Sequence, residues 1–334
     1  MIVLGIESSC DDMAASVVED GETILSSVVS SQDDIHERYG GIVPELASRR
    51  HIETVVPVVE EAVRQSGRGF EEIEGIGVTM GPGLLGSLLI GLSFAKSLAY
   101  SRNIPFVGVN HIVAHPLAAF LNSVERPAFP FIALVVSGGH TTLFRYESFT
   151  SYEVLGDTRD DAAGEAFDKV AKLLGFTYPG GVVIDRLARE GDRTAVPFKR
   201  PYISKQSLDF SFSGIKTAVM NHVRGINGGP SEGEIRDIAA SFQEAVVDVL
   251  VRKAFTACRE GRVENLVLAG GVACNSRLRE RLRGRGEEEG VKVFIPPPNL
   301  CSDNGAVIAA SGYHLLKGGR RDDISLDADP NIAY

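Results

Sequence analysis

The sequence predicts an α/β fold built from two related lobes. Strand-like and helix-like segments alternate along the chain, which is the pattern of α/β proteins. A unit of strand, short turn and second strand occurs twice, at residues 2–18 and again at residues 131–146. The length of 334 residues exceeds what one compact core usually contains. These three observations favour two lobes, each with one copy of the repeated unit.

The repeated unit predicts strands at residues 2–7 and 15–18, and again at 131–136 and 141–146. Apolar residues recur at helical spacing from Leu46 to Val63, where Pro57 predicts a kink or a break. Surface loops are predicted at the glycine-rich residues 225–233 and the acidic residues 284–290. The remaining predicted elements are a buried helix after Gly83, helices at 165–174 and 238–253, a strand at 264–269, a helix near Asn275 and a last helix at 306–316.

Two proline-rich joints predict the boundaries between the lobes. The first covers residues 123–130 and the second is the Pro-Pro-Pro run at 296–298. We interpret them as the crossing from lobe I to lobe II and the return crossing. Lobe I is therefore predicted to comprise residues 1–125, completed by the C-terminal helix segment 303–330, and lobe II residues 126–302.

Composition narrows the class of protein. The chain has 34 Lys and Arg against 44 Asp and Glu, so its net charge of −10 counts against a free-standing nucleic-acid binder. Its four cysteines lie far apart without a Cys-x-x-Cys pair, which argues against a disulfide framework and a thiolate zinc site. No segment is long and apolar enough for a membrane span, and the N-terminus lacks the pattern of a secretory signal. We therefore expect a cytoplasmic protein with reduced thiols.

Two histidines and one distant aspartate are candidate metal ligands. His111 and His115 are four residues apart, a spacing that puts both imidazoles on one face of a helix, although Pro116 predicts a local kink. The alternative is a pair of ordinary polar histidines. Asp303 is the candidate third ligand, with the alternative that it caps the last helix. If both joints meet at one cleft, the three residues form a set with open metal positions that suits Fe(II) or zinc.

Three glycine-bearing turns are candidates for holding a nucleotide. In the turn Val135-Val136-Ser137-Gly138-Gly139, backbone N–H groups would face a phosphate or oxyanion without an obstructing Cβ. The second turn, residues 178–181, leads to Asp185, and the third, residues 270–271, leads to Asn275. Asp168 and Asp185 are candidates for binding ribose hydroxyls. The alternative for each glycine pair is a tight turn, and none fits the dinucleotide or P-loop consensus.

A basic stretch from residue 186 to residue 224 is a candidate RNA contact. It contains eight Lys and Arg but only three acidic residues, a local charge of +5. Phe198, Tyr202, Phe210 and Phe212 are interleaved with these cations, and aromatic rings beside cations are typical of sites for single-stranded loops. The alternative is a solvated basic face whose aromatic residues belong to the core.

Ten short blocks, spread over nearly the whole chain in one order, resemble one family. They are residues 5–11, 40–49, 81–83, 110–115, 136–141, 161–169, 178–181, 210–217, 268–275 and 303–305. With these blocks the sequence resembles the bacterial TsaD family of tRNA N6-adenosine threonylcarbamoyltransferases, once called O-sialoglycoprotein endopeptidases.

The resemblance implies a two-lobed actin/Hsp70/sugar-kinase-like fold with the active site in the cleft between the lobes. It implies that His111, His115 and Asp303 bind one divalent metal, Fe(II) or zinc. It also implies the following substrate-binding residues: Val135, Val136, Ser137, Gly138, Gly139, Asp168, Gly181, Asp185 and Asn275.

The family resemblance further implies the reaction and the partners. Members transfer the threonylcarbamoyl group from threonylcarbamoyl-adenylate to N6 of the adenosine just 3′ of the anticodon, at position 37, in tRNAs that read codons beginning with A. Bacterial members work with a shorter, degenerate paralogue (TsaB-like) and a small P-loop ATPase (TsaE-like). We expect the same tRNA substrate and the same two partners for this chain.

A mechanism and its rivals follow from these residues. The metal would polarise a carbonyl or phosphate oxygen, the N–H groups of residues 137–139 would stabilise negative charge, and Asp11 is the candidate general base. A metalloprotease of the His-Glu-x-x-His type would carry glutamate at the position of Ile112. A small-molecule kinase of the same fold would not need the two histidines. A non-catalytic scaffold would lack the three candidate ligands.

Overall fold

The computed structural model of the chain describes residues 1–200 and 207–334, in which strands and helices alternate. The strands are β1 (Ile2–Glu7), β2 (Met13–Glu19), β3 (Thr23–Ser30), β4 (Gly75–Gly81), β5 (Phe106–Asn110), β6 (Phe131–Val136), β7 (Thr141–Ser148), β8 (Ser151–Asp157), β9 (Asn265–Ala269) and β10 (Lys292–Phe294). The helices are α1 (Asp33–His36), α2 (Pro44–Gln65), α3 (Leu85–Arg102), α4 (His111–Ala114), α5 (Ala163–Leu173), α6 (Gly180–Ala188), α7 (Ser213–Arg224), α8 (Glu232–Gly261), α9 (Ser276–Glu289), α10 (Pro298–Cys301) and α11 (Gly305–Lys317). The predicted α/β class is confirmed.

The chain folds into two compact units. Unit 1 comprises Met1–Arg126, Ser148–Ser151 and Pro296–Tyr334. Unit 2 comprises Pro127–Glu147 and Tyr152–Ile295. Each unit contains one five-stranded mixed sheet with helices packed against it.

The two sheets share one topology. The sheet of unit 1 has the order β3-β2-β1-β4-β5, and that of unit 2 has the order β10-β9-β6-β7-β8. In unit 1, β1 pairs antiparallel with β2 and parallel with β4. In unit 2, β6 pairs antiparallel with β7 and parallel with β9. The repeated strand–turn–strand unit of the sequence therefore forms the same hairpin at the centre of each sheet, as predicted.

Helix α11 lies directly on the backbone of the unit 1 sheet. An added Cβ at Gly5 of β1 would lie 2.1 Å from the Gly305 carbonyl oxygen, and one at Gly77 of β4 would lie 2.6 Å from that of Ile308. On the helix side, an added Cβ at Gly312 would lie 2.8 Å from Gly77 Cα. These distances are shorter than any real Cβ contact, so only glycine permits this approach of helix and sheet.

Helix α2 is continuous through Pro57, so of the predicted kink or break, the break is wrong. Proline removes one N–H and leaves the carbonyl of Glu53, four residues earlier, without its helical partner. Both residues lie on the exposed face of α2, where water can hydrate that carbonyl. Val55, Val58 and Val59 face the core on the opposite side, and their burial holds the helix together.

The acidic segment at residues 284–290 is a helix rather than the predicted loop. It forms the last turns of α9, and Gly286 lies on the buried face, where an added Cβ would be 2.6 Å from the Val291 carbonyl oxygen. Packing, and not a turn, requires glycine there. The helix ends at Gly290, which has a φ of +69°. The loop predicted at residues 225–233 is confirmed for residues 225–231, because α7 ends at Arg224 and α8 begins at Glu232.

The apolar segment after Gly83 forms α3, which is buried on one face only. Leu88, Leu92 and Ala95 are buried, whereas Leu85 is 48% exposed and Leu89 39% exposed. The prediction of a buried helix is therefore confirmed for one face of α3 and wrong for the face that carries Leu85 and Leu89. Among the helices of residues 1–200 and 207–334, none combines the length and the apolar character that crossing a bilayer requires.

We predict that Gly77→Ala destabilises the protein, because its methyl group would overlap the backbone of α11. The expected loss in the free energy of unfolding is about 2–4 kcal/mol, above the typical cost of an overpacked core because backbone cannot move aside. Gly284→Ala is the matched control, since its Cβ meets no neighbouring atom and alanine favours a helix by about 0.5–1 kcal/mol. Urea unfolding of both variants tests this; equal stabilities would contradict it.

His314 of α11 gives unit 1 a pH-dependent stability. Its ring stacks on that of Phe149, with 3.6 Å between the ring centroids. Burial lowers the pKa of His314 from 6.5 to about 4, although Glu22 partly opposes the shift. Between pH 4 and pH 6.5 the imidazole takes up a proton in the unfolded chain but not in the folded chain. The free energy of unfolding is therefore unaffected by the titration of His314 above pH 6.5 and falls as the pH decreases toward 4.

We expect His314→Phe to remove this dependence, because phenylalanine stacks without titrating. The difference in unfolding free energy between the variant and the wild type should grow in favour of the variant from pH 6.5 to pH 4. Urea unfolding across that range measures it, with other titrating groups common to both proteins. Parallel curves would show that His314 does not titrate as described.

Candidate metal centre and ligand pocket

The sequence around His111 and His115 folds into two short helical pieces. Helix α4 follows β5 directly, and Asn110 caps it by accepting hydrogen bonds from the N–H groups of Ile112 and Val113. A 3₁₀ turn, His115–Ala119, continues from α4, with Pro116 near its start. The predicted kink at Pro116 thus corresponds to a change from α to 3₁₀ geometry. The two imidazoles meet edge-on at an interplanar angle of 74°, with 3.1 Å between their Nε2 atoms.

Asp303 completes a cluster of three ligand atoms. Its Oδ1 lies 3.5 Å from Nε2 of His111 and 3.6 Å from Nε2 of His115. The alternative that Asp303 caps the last helix is wrong, because Asn304 accepts hydrogen bonds from the N–H groups of Ala306 and Val307 instead. The three candidate ligands are all in unit 1 and lie together, His111 and His115 being buried.

The three atoms fit a metal ion. Ligand separations of 3.1, 3.5 and 3.6 Å define a circle with a radius of about 2.0 Å, close to the Zn–N and Zn–O bond lengths of about 2.0–2.2 Å. Two imidazoles and one carboxylate are ligands that Fe(II) and zinc both accept, and three protein ligands leave further positions open. The cluster is therefore a possible metal site suited to binding substrate at the metal.

Glu7, which the sequence alone marked only as part of a family block, lies behind this cluster. Its Oε2 is 2.8 Å from Nδ1 of His111. Burial disfavours a charge on both groups, yet each stabilises the charge of the other, so the pKa of Glu7 is lowered and that of His111 is raised well above its usual value. One sequence signal was available: Glu7 is the one charged residue of the strand Ile-Val-Leu-Gly-Ile-Glu.

Asp11, the candidate general base, is buried in the turn between β1 and β2. Burial raises the pKa of its carboxyl group, and the nearby charge of Asp303 acts in the same direction. A raised pKa brings a carboxyl closer to the range useful for proton transfer. Its role as a base stays a prediction.

A pocket of about 570 Å³ lies within unit 2, large enough for a nucleotide-sized ligand. Five of the predicted substrate-binding residues line it: Gly138, Asp168, Gly181, Asp185 and Asn275. Val135, Val136, Ser137 and Gly139 are not among its lining residues. The two valines are fully buried in β6. Residues from four separate sequence blocks therefore meet in one pocket.

Of the turn after β6, Ser137 cannot play its predicted part. Its N–H donates to the His140 carbonyl oxygen at 2.8 Å, and its Oγ accepts from the His140 N–H. These two bonds close the hairpin, so the Ser137 N–H is not directed at a ligand. Gly138 and Gly139 are exposed in the same turn, and an added Cβ at either would meet no neighbouring atom.

The polar residues of the pocket also hold its walls. Asp168 accepts a hydrogen bond from the Gly180 N–H at the start of α6, and burial raises the pKa of its carboxyl group. Asp185 accepts hydrogen bonds from the N–H and hydroxyl of Ser276 and from Arg189. Asn275 caps α9 and donates to Gln243. These carboxylates and amides are therefore oriented before any ligand arrives.

The basic stretch is only partly as predicted. Phe198, Phe210 and Phe212 are buried, so they belong to the core and do not offer stacking surfaces. Tyr202 and Lys205 lie outside the described residues. Arg189 pairs with Asp185, and Arg200 pairs with Asp248. Among the described residues of the stretch, the exposed cations are Arg186, Arg189, Arg193, Lys199 and Arg224.

The comparison with known families follows this geometry. The family model TsaD, described as tRNA N6-adenosine threonylcarbamoyltransferase, matches residues 23–310. The chain belongs to the TsaD family. Among its relatives of that name, the protein of Syntrophus aciditrophicus is 56% identical over 98% of this chain and 96% of its own length, and that of Anaeromyxobacter dehalogenans strain 2CP-C is 56% identical over 98% of both. The predicted family and its enzyme class, an acyltransferase, are confirmed.

Solved structures with low sequence identity share the fold. T. kodakarensis HypF is 15% identical with a TM-score of 0.66, over 95% of this chain and 48% of that protein. The (R)-2-hydroxyglutaryl-CoA dehydratase component A of Acidaminococcus fermentans is 18% identical with a TM-score of 0.53, over 96% of this chain and all of that one. The predicted actin/Hsp70/sugar-kinase-like fold class is confirmed.

Proposed function

We propose that this chain transfers the threonylcarbamoyl group from threonylcarbamoyl-adenylate to N6 of the adenosine at position 37 of tRNAs that read codons beginning with A. Membership of the TsaD family, with 56% identity to named relatives over nearly their whole length, carries the proposal. The cluster of His111, His115 and Asp303 supports it and disfavours a non-catalytic scaffold. Units 1 and 2 would be the two lobes of the predicted fold.

We propose one divalent metal, Fe(II) or zinc, held by His111, His115 and Asp303. When bound, the metal supplies Lewis acidity that makes a carbonyl or phosphoryl group more reactive. The chain contributes the three ligands. Two of them, His111 and His115, are buried, so water has little access to their ligand nitrogens. Ile112 stands where a His-Glu-x-x-His protease has its glutamate base, and its fully buried alkyl side chain cannot activate water.

The pocket in unit 2 is the proposed site of the adenylate. Asp168 and Asp185 are carboxylates of the kind that bind ribose hydroxyls, and both line the pocket. Gly138, Gly181 and Gly271 also line it, and an added Cβ at each would meet either nothing or an ordinary contact. No internal packing explains these glycines, whereas a ligand lying close to the backbone would.

The proposed reaction forms a bond from adenosine N6 to the carbamoyl carbon and breaks the bond from that carbon to the phosphate oxygen of the adenylate. The N6 proton passes to a base, for which Asp11 is the candidate, and AMP leaves with the electron pair of the broken bond. The Gly138 and Gly139 N–H groups are candidates for stabilising negative charge, and β6 fixes their position through Val135 and Val136.

The proposed tRNA contact uses exposed cations of the stretch 186–224. Arg186, Arg193, Lys199 and Arg224 are exposed and would meet phosphates, while the adenosine lies in a loop and is extruded at low cost. Since the chain as a whole is acidic, we propose that its two partners, the shorter paralogue (TsaB-like) and the P-loop ATPase (TsaE-like), assist. A cytoplasmic location would fit the tRNA substrate.

His111→Ala should remove the metal and the activity, because it deletes one of three ligands. Metal analysis is expected to show less than about a tenth of the wild-type metal per chain, and transfer should fall at least about 100-fold. The assay is mass spectrometry of unmodified tRNA incubated with the chain, ATP, threonine, bicarbonate, the adenylate-forming enzyme and both partners.

The control for metal content is His222→Ala, which removes an exposed imidazole of α7 and should leave the metal stoichiometry unchanged. A His111→Ala protein that lost its metal and kept full transfer activity would refute the metal role. Wild-type protein that left tRNA unmodified under these conditions would refute the proposed function itself.

Gly271→Val should weaken nucleotide binding without unfolding the protein. A Cβ at residue 271 would meet no protein atom within 4 Å, and the valine side chain would extend from this pocket-lining position. We therefore expect unchanged thermal unfolding but at least about tenfold weaker binding of AMP, which is about 1.4 kcal/mol. Isothermal titration with AMP measures this. Gly233→Val, on the exposed start of α8, is the control and should bind AMP normally. Equal affinities for all three proteins would show that the pocket is not the nucleotide site.

A further inference from the structure

A fully buried carboxylate lies directly behind the metal centre. Glu7 is the last residue of β1 and is 0% exposed, and every preceding residue of that strand is apolar or glycine. Burying an ionised carboxylate is costly unless hydrogen-bond donors surround it. The groups that form hydrogen bonds with the Glu7 carboxylate therefore indicate its role.

Three donors surround the Glu7 carboxylate. The Ser9 N–H donates to Oε1 at 2.5 Å, and the Thr79 hydroxyl donates to Oε2 at 2.7 Å. The third is Nδ1 of His111, 2.8 Å from Oε2, with the Ser9 hydroxyl 3.4 Å from the same nitrogen. An ionised carboxylate only accepts hydrogen bonds, so Nδ1 of His111 must carry a hydrogen.

The sheet brings these groups together at one edge. β1 is parallel to β4, and β4 is parallel to β5, so the carboxyl ends of the three strands adjoin. Glu7 ends β1, Thr79 lies near the end of β4, and His111 follows the last residue of β5. The position of Glu7 relative to His111 is thus fixed by strand pairing and does not depend on a flexible loop.

Because Glu7 retains the Nδ1 hydrogen of His111, Nε2 is the ring atom that can give up its hydrogen and present a lone pair to a metal. That atom lies 3.1 Å from Nε2 of His115 and 3.5 Å from Oδ1 of Asp303, at the centre of the proposed ligand set. The bond to Glu7 therefore selects the tautomer and the ring orientation that metal binding needs. A carboxylate that accepts the other N–H of a ligand histidine also makes the ligand nitrogen more basic.

We propose that Glu7 is a positioning residue that holds His111 ready to bind the metal through Nε2. The proposal deepens the metal site and so rests on the proposed function. Thr79 and Ser9 hold the carboxylate in turn. Glu7 touches neither the metal nor the substrate, and it acts on the reaction only through the affinity and geometry of His111.

Glu7→Gln tests the proposal with little change in shape. If the new amide NH₂ faces Ser9, it opposes the Ser9 N–H, and the amide oxygen that then accepts from Nδ1 of His111 lacks the negative charge that makes Nε2 more basic. If the NH₂ faces His111 instead, it donates to Nδ1 and moves the ring hydrogen to Nε2, the atom that should bind the metal. In either orientation we expect the affinity for Zn²⁺, measured by competition with a chromophoric chelator, to fall about 10–100-fold.

A control variant outside the metal centre separates positioning from general destabilisation. Glu244→Gln removes the charge of another buried glutamate, one paired with Arg277 in unit 2, and should cost stability without changing Zn²⁺ affinity. Thermal unfolding of the metal-free proteins reports stability in each case.

A second measurement needs no variant. Nitrogen-15 NMR of the Zn²⁺-loaded wild type should show His111 bound through Nε2 with a hydrogen on Nδ1. Binding through Nδ1 would overturn the proposal, and so would a folded Glu7→Gln protein with Zn²⁺ affinity within about threefold of wild type. Failure of the wild type to bind Zn²⁺ or Fe²⁺ would instead overturn the metal site, and this inference with it.

Discussion

The close approach of helix α11 to the sheet of unit 1 is the constraint on which the candidate metal centre depends. Gly5 and Gly77 on the sheet meet backbone atoms of α11, and Gly305 begins that helix within contact of β1 and β2. Asp303 stands two residues before Gly305, so its position is set by the same contact. The histidines come from a distant part of the sequence, after β5. A carboxylate and two imidazoles far apart in the sequence therefore share one centre. They do so because glycines at the contact allow the backbone of α11 to approach the sheet closely.

Sequence patterns predict much of this arrangement because they report local physics. Alternating apolar runs and turns indicate the strands of both hairpins, and the four-residue spacing of His111 and His115 predicts their shared face. Asp303 is ambiguous in the sequence, since aspartate is both a good cap and a good ligand. The structure decides between these interpretations through its neighbour: Asn304 takes the capping bonds. No property of Asp303 itself carries that information.

The predictions that the structure contradicts also have local causes. Pro57 does not break α2, because the carbonyl left without a hydrogen bond lies on the exposed face of the helix, where water can hydrate it. Which face is exposed depends on how the helix packs, and this cannot be read from Pro57 itself. Residues 284–290 resemble a loop because glycine and charge are frequent in loops, but Gly286 is there for helix packing. Phe198, Phe210 and Phe212 are buried in the core and are not available for stacking on bases, and sequence alone does not show which way their side chains point. Glu7 can be noticed in sequence as a charge in an apolar strand, yet its partner, His111, is 104 residues away.

The two sheets share one topology, but the turn between β1 and β2 and the equivalent turn between β6 and β7 carry different chemical groups. In unit 1, β1 ends at Glu7, whose carboxylate lies 2.8 Å from Nδ1 of the candidate ligand His111, and the turn that follows contains Asp11. At the equivalent point after β6 the chain passes Gly138 and Gly139, whose bare peptide groups suit an anion. The same strand–turn–strand unit thus holds carboxylates in unit 1 and exposed peptide N–H groups in unit 2, so one topology serves two different chemistries at its turn.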